Sequence, residues 1–331
     1  MIKLLKSNPA LAFILVPLIV IFVWVQAYFN GFEVVKDGMP LYGVLLFWLS
    51  PENKLAYCIL AMLLILFQAF YFNYILNKNE VIPKNTWIFS LFYVVLMSMI
   101  PQFLVFHPMM TGITLVVIVI EKIFQLYKSN NALALNFDIC LLISIAALFY
   151  FPLILVYVLY VVALIILKPF AWRDWVVGLM GLVLPFFFMF TFYFLTDQFQ
   201  NLSAAFYVKN ISNQIDWWRL VPKGFSITVG YVLLLIFLSL FQLTTNFGKS
   251  VIRIRNLQQV LLIFIIIGTF LLLLTRDLNL FRFTIFFLPF SFLLTNYFTT
   301  VKKTWYAEVL FWLLVANLVY NFYLMDLVKG I

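Results

Sequence analysis

Charge is what this sequence has least of: only a tenth of its 331 residues are Asp, Glu, Lys or Arg, against about a quarter in an average soluble domain. Two thirds of the residues are hydrophobic and forty are phenylalanine, so what remains cannot cover a water-exposed surface. A soluble globular chain is excluded. Cysteine is nearly absent as well. Cys58 and Cys140 both fall inside apolar runs, which leaves no basis for a disulfide framework or a thiolate zinc site. One histidine, His107, cannot build a metal site alone, and no metal or particular cofactor is indicated. The net charge of +9 raises nucleic acid as a partner, but Lys and Arg also gather on cytoplasmic loops for topological reasons, and their distribution favours that explanation.

What is present is a succession of apolar runs, at about 11–28, 55–76, 87–106, 109–127, 137–150, 152–167, 175–196, 225–244, 257–275, 281–299 and 305–325. The expected fold is all-α: one integral membrane domain, a bundle of about eleven spans with no soluble domain. The first run follows Lys3 and Lys6 and lacks a small-residue cleavage pattern, so it reads as a retained signal anchor. The segment 137–167 reads either as one long tilted helix or as two short ones broken at Tyr150, Phe151 and Pro152. Each half would be about 21 to 24 Å long at ~1.5 Å per residue, short for a ~30 Å hydrocarbon core. With eleven spans and the N-terminus inside, thirteen basic residues face the cytoplasm and eight face out. With a single span there, the split falls to twelve and nine, and Lys249, Arg253 and Arg255 move outside. The positive-inside rule therefore favours the broken hairpin and an outer C-terminus.

On that topology the first part of KPFAWRDWVVGLMG (168–181), Lys168 to Trp175, is a cytoplasmic turn between two spans. Its basic residues hold the loop inside, its tryptophans sit at headgroup level, and Pro169 stops the preceding helix. Gly178 and Gly181 read as sites of close helix packing. Gln68, Tyr71 and Tyr74, like Asn317 and Asn321, recur at helical spacing and read as bonds between helices. Glu121, Lys122 and Asp138 read as pairs at helix ends, and His107 as a residue of the turn between two spans.

Chemistry in such a chain needs ionisable groups at a suitable depth, and twelve carboxylates are all it has. In the first outer loop, NGFEVVKDGMPLYG (30–43), Glu33 and Asp37 stand four apart. On a helix they would share a face and serve as a general base or ion ligands; in a turn they are solvated loop acids. The fourth outer loop (196–224) mixes amides, hydroxyls and aromatics. It suits a sugar or peptide substrate through Trp217, Trp218 and Arg219, and equally a helix lying in the interface. In TRDLNLFRFTIFFLPF (275–290), Arg276, Asp277 and Arg282 stand at the edge of the hydrocarbon. There a pair of guanidinium forks would match the oxygens of a phosphate, unless they snorkel or pair with Asp277.

FNYILNKNEVIPKN (72–85), LFYFP (148–152) and LKPFAWRDWVVGLMGLVLP (167–185) together resemble a family of bacterial inner-membrane proteins defined as a domain of unknown function. The likeness covers most of the chain and implies the inner membrane, but no activity. The acid-bearing first outer loop, the long later loop, the span number and the R-F-x-x-x-x-x-L-P segment (Arg282 to Pro289) are similar to the GT-C class of polyprenyl-phosphate-dependent glycosyltransferases. That resemblance implies Glu33 or Asp37 as base, Arg276 and Arg282 as the phosphate grip, and a polyprenyl-phosphate-linked sugar as substrate. Two other classes stay open: a non-catalytic membrane subunit or scaffold of a cell-envelope complex, with membrane-protein partners, and a transporter.

Overall fold

A computed structural model describes the chain apart from residues 1–8, 36–38, 50–51, 83–85, 101–102, 128, 130–131, 198–225, 249, 275–279, 302–303 and 330–331. The described residues are helical almost throughout. In chain order the α-helices are α1 (Pro9–Phe29), α2 (Pro40–Leu49), α3 (Lys54–Lys78), α4 (Ile88–Ser98), α5 (Pro108–Gln125), α6 (Ala132–Phe149), α7 (Val156–Leu167), α8 (Trp172–Leu195), α9 (Ser226–Phe247), α10 (Ile252–Leu274), α11 (Phe287–Thr300) and α12 (Thr304–Lys329). Two 3-10 segments, Phe151–Leu155 and Leu280–Phe286, lead into α7 and α11. Seven helical stretches are long and apolar enough to cross a membrane: 54–78, 108–125, 132–149, 172–195, 227–247, 252–272 and 280–300. Shorter apolar helices occupy 13–29, 40–49, 88–98 and 151–167. Helices suit such a medium because every backbone N–H and C=O within them is satisfied internally.

The ends of the bundle are told apart by their side chains. At one end the C-termini of α3 and α5 meet the N-terminus of α6 through ion pairs, Lys78–Glu121 at 3.3 Å and Lys122–Asp138 at 2.9 Å. The Tyr71 hydroxyl also donates to Glu121. Lys168 closes on buried Asp174 at 2.6 Å between the end of α7 and the start of α8. Arg253, in the first turn of α10, donates to Asn79 Oδ1 at 3.0 Å, and Asn256 donates to the Ile166 carbonyl at 3.4 Å. The KPFAWRDW turn thus owes its charges to one partly buried ion pair, with Arg173 set over the Trp172 ring (6.0 Å) and Trp172 and Phe170 exposed.

Inside the bundle several polar side chains serve as links between helices. Gln68 on α3 donates to the Met110 carbonyl (2.8 Å) and to Thr114 Oγ1 (2.7 Å) on α5, and accepts from the Tyr93 hydroxyl on α4 (2.5 Å). Thr228 on α9 donates to Asn317 and Asn321 on α12 (2.6 and 2.9 Å), and Asn321 returns a bond to the Met99 carbonyl (2.7 Å). Both free cysteines are buried.

The helix breaks where Pro152 denies it a donor. Tyr150 is extended (φ −149°, ψ 103°), the 3-10 turn follows, and α7 begins at Val156. The chain then folds back. Tyr160 of α7 and Cys140 of α6 both meet the face of α8 at Gly178, while Ile154 lines an apolar groove with Leu182 to Phe194 near the far end of α8. A Cβ on Gly181 would stand 2.5 Å from the Phe137 carbonyl oxygen, and one on Gly178 would stand 2.7 Å from the Tyr160 hydroxyl. Gly181 therefore permits close approach of the α6 and α8 backbones, as small residues do between membrane helices, while Gly178 makes room for the Tyr160 and Cys140 side chains.

The first loop differs from its expected form. It contains α2, started at Pro40, a residue suited to a first helical turn, and the segment carrying Glu33 is extended rather than helical.

Because the Gly181 clash is with backbone, Gly181→Ala must separate α6 from α8 and is expected to destabilise the fold by about 1 to 3 kcal/mol. Gly230→Ala on α9, where a Cβ meets nothing within 4 Å, serves as the control. Unfolding in detergent by heat or SDS measures both, and equal stabilities would contradict the packing described.

Candidate functional site

The end opposite the ion pairs is organised by Phe106, whose ring is fully buried. Val34 and Phe106 form a short parallel bridge. Phe106 N–H donates to the Glu33 carbonyl at 3.1 Å, and Val35 N–H donates to the Phe106 carbonyl at 2.8 Å. Tyr42, on α2 and fully buried, donates its hydroxyl to the Val35 carbonyl (2.8 Å), and its ring stacks on Phe106 (5.9 Å, 16°). The Tyr57 ring at the start of α3 completes the packing at 5.0 Å. The first loop is therefore fastened by main-chain bonds to the entry of α5. The Glu33 side chain stays exposed.

His107 follows at once and caps α5. Its backbone is extended, Pro108 occupies the first turn, and its Nδ1 accepts from Met110 N–H at 3.1 Å. The imidazole is fully buried and lies flat on Phe281 (4.8 Å, 14°), while Tyr150 meets the same ring edge-on (5.9 Å, 71°). Phe281 and Arg282 are neighbours in the 3-10 segment that leads into α11, and Arg282 is only 4 % exposed. A guanidinium that withdrawn is not snorkelling to the interface. It is held within protein rather than at the lipid surface.

Of the residues read from sequence as a site, Glu33 and Arg282 are thus brought to one end of the bundle, through Phe106, His107 and Phe281. Asp37, Arg276, Trp217, Trp218 and Arg219 lie outside the described residues, as does Asp277. Among the described residues no three His, Cys, Asp or Glu side chains gather as a metal site. Sequence reasoning missed the part played by His107, taken only as a turn residue. The signal was the FHP triplet ahead of an apolar run, a capping residue followed by a first-turn proline.

The fold defines a class: a helical protein with seven helices long and apolar enough to cross a membrane, in which a buried arginine, Arg282, stands at the end opposite the ion pairs. Compared with family models, curated proteins and solved structures, the chain matches none.

Burial lowers the His107 pKa from 6.5 to about 3, so the ring is neutral at physiological pH. A depressed histidine pKa contributes stability that is complete above about 6.5 and is lost progressively as pH falls towards 3. Wild type should therefore lose melting temperature on mild acidification more steeply than His107→Asn, which retains a capping oxygen and does not titrate. Parallel slopes would contradict a neutral, buried His107.

Proposed function

We propose that the protein is an eleven-span protein of the bacterial inner membrane, with its N-terminus in the cytoplasm and its C-terminus outside. At the outer face it handles a polyprenyl-phosphate-linked sugar as a GT-C-like transferase. The supporting observation is the fastening of the Glu33 loop to Phe106, with His107 stacked on Phe281 beside buried Arg282. An acid-bearing loop and a guanidinium at one end of the bundle are the kinds of group a phosphate-linked donor requires: forked donors for the phosphate and a carboxylate to take a proton from the acceptor. Arg282, with Arg276, grips the phosphate. Glu33 or Asp37 acts as base, and the stretch containing Trp217, Trp218 and Arg219 meets the sugar.

The topology is supported by the gathering of Lys78, Lys122, Lys168 and Arg253 at one end and Glu33, His107 and Arg282 at the other. A cysteine at Ser250 should resist an impermeant reagent in intact cells, and labelling there would contradict eleven crossings.

A second reading, a non-catalytic membrane subunit or scaffold of an envelope complex, is favoured by a different observation. The bundle's polar side chains Gln68, Thr228, Asn317 and Asn321 are engaged between helices. Complementation separates the two readings. Arg282→Ala and Glu33→Gln should insert normally; Arg282→Ala should weaken binding of a polyprenyl phosphate by one to two decades, the equivalent of about 1.5 to 3 kcal/mol for a hydrogen bond to a charged group. Full function in both variants, with Asp37→Asn also active, would leave the scaffold reading.

A further inference from the structure

His107 holds a second feature that capping does not use. With Nδ1 accepting from Met110, the neutral ring carries its proton on Nε2, and that nitrogen is buried without a hydrogen-bond partner among the described residues. Buried donors are paired in the great majority of native structures, and one left unmade at a helix entrance needs an explanation. The ring cannot swing away to find a partner. Phe281 covers its face at 4.8 Å and its cap bond fixes the in-plane rotation, so the Nε2–H direction is set by the fold.

The surroundings specify what would complete it. Arg282, the next residue after Phe281, presents only donors, and the N-terminus of the 18-residue α5 contributes the positive end of its dipole. A neutral N–H donor at the positive end of a helix, stacked on the residue that precedes an arginine, matches an anionic oxygen rather than another donor or an apolar group. We infer that His107 donates its Nε2–H to a phosphate oxygen of the ligand at the Arg282 end of the bundle, as a binding residue distinct from the acids of the first loop. This rests on the phosphate-handling reading above, and the phosphate belongs either to a lipid headgroup or to a free anion.

Two substitutions divide the imidazole into its halves. His107→Asn keeps an oxygen where Nδ1 accepts from Met110 and removes the Nε2 donor. His107→Gln keeps an amide N–H near the Nε2 position and gives up the cap. Each is compared with wild type and Arg282→Ala in lipid nanodiscs, with thermal stabilisation read against added polyprenyl phosphate, the matching polyprenol and inorganic phosphate. The expected result is stabilisation of wild type by polyprenyl phosphate and not by polyprenol. His107→Asn should bind roughly ten- to a hundred-fold more weakly, and His107→Gln close to wild type though less stable. The same pattern with inorganic phosphate supports the donor role and identifies a free anion as its source. If Arg282→Ala loses binding and His107→Asn does not, the inference is overturned while the phosphate reading stands. If no phosphate stabilises wild type, both fall. Should His107→Asn fail to fold, the Nε2–H resonance of wild type decides: it should shift on adding polyprenyl phosphate, and an unmoved resonance overturns the donor role.

Discussion

The backbone of Phe106 exchanges two hydrogen bonds with Glu33 and Val35, and the rest of that end of the bundle is positioned from this clasp. Tyr42 and Tyr57 pack the Phe106 ring from α2 and α3. Because Phe106 is fixed, His107 is fixed; because His107 caps α5 and lies on Phe281, the 3-10 segment with Arg282 is held against the entry of α5. Main-chain bonds at a bridge of one residue pair fasten the first loop to the entry of α5.

The second constraint is that polar groups among apolar helices must find partners inside the protein. Gln68 meets it by joining three helices, and Thr228 with Asn317 and Asn321 by fastening α9 and α12 to the end of α4. The break at Tyr150 meets it with a short 3-10 turn, and the turn brings Tyr150 against Phe281. A proline that stops a helix thereby also contributes to the packing around Phe281 at the Arg282 end. Three ion pairs among the described residues lie at the opposite end, while aromatic stacking around His107 and Phe281 packs the end that carries Arg282.

Much of the scaffold was readable because its signals are local. Apolar runs gave most of the helices, though the run at 87–106 is an α-helix only over Ile88–Ser98; Pro152 gave the break, and Gly181 the close approach of α6 and α8. Gln68, Asn317 and Asn321 gave helix contacts from spacing alone. The clasp was not readable. A single residue-pair bridge has no periodicity, and Val34 and Phe106 are ordinary apolar residues 72 positions apart. The helix α2 escaped because PLYGVLLFWL is too short for a span and sits between residues that read as a loop. Arg282 was legible as an edge charge, but its burial depends on α5 and α10 packing against its segment, which no spacing within that segment encodes.

The central claim is that the Glu33 loop and the Arg282 segment occupy one end of the bundle. A pulsed spin-label distance between positions 33 and 280 in membranes tests it most directly, since the hydrocarbon core is ~30 Å thick and segments on opposite sides cannot come closer. The clasp predicts a single distance well below that thickness, shortest when Phe106 is intact. A distance at or beyond it would contradict the arrangement.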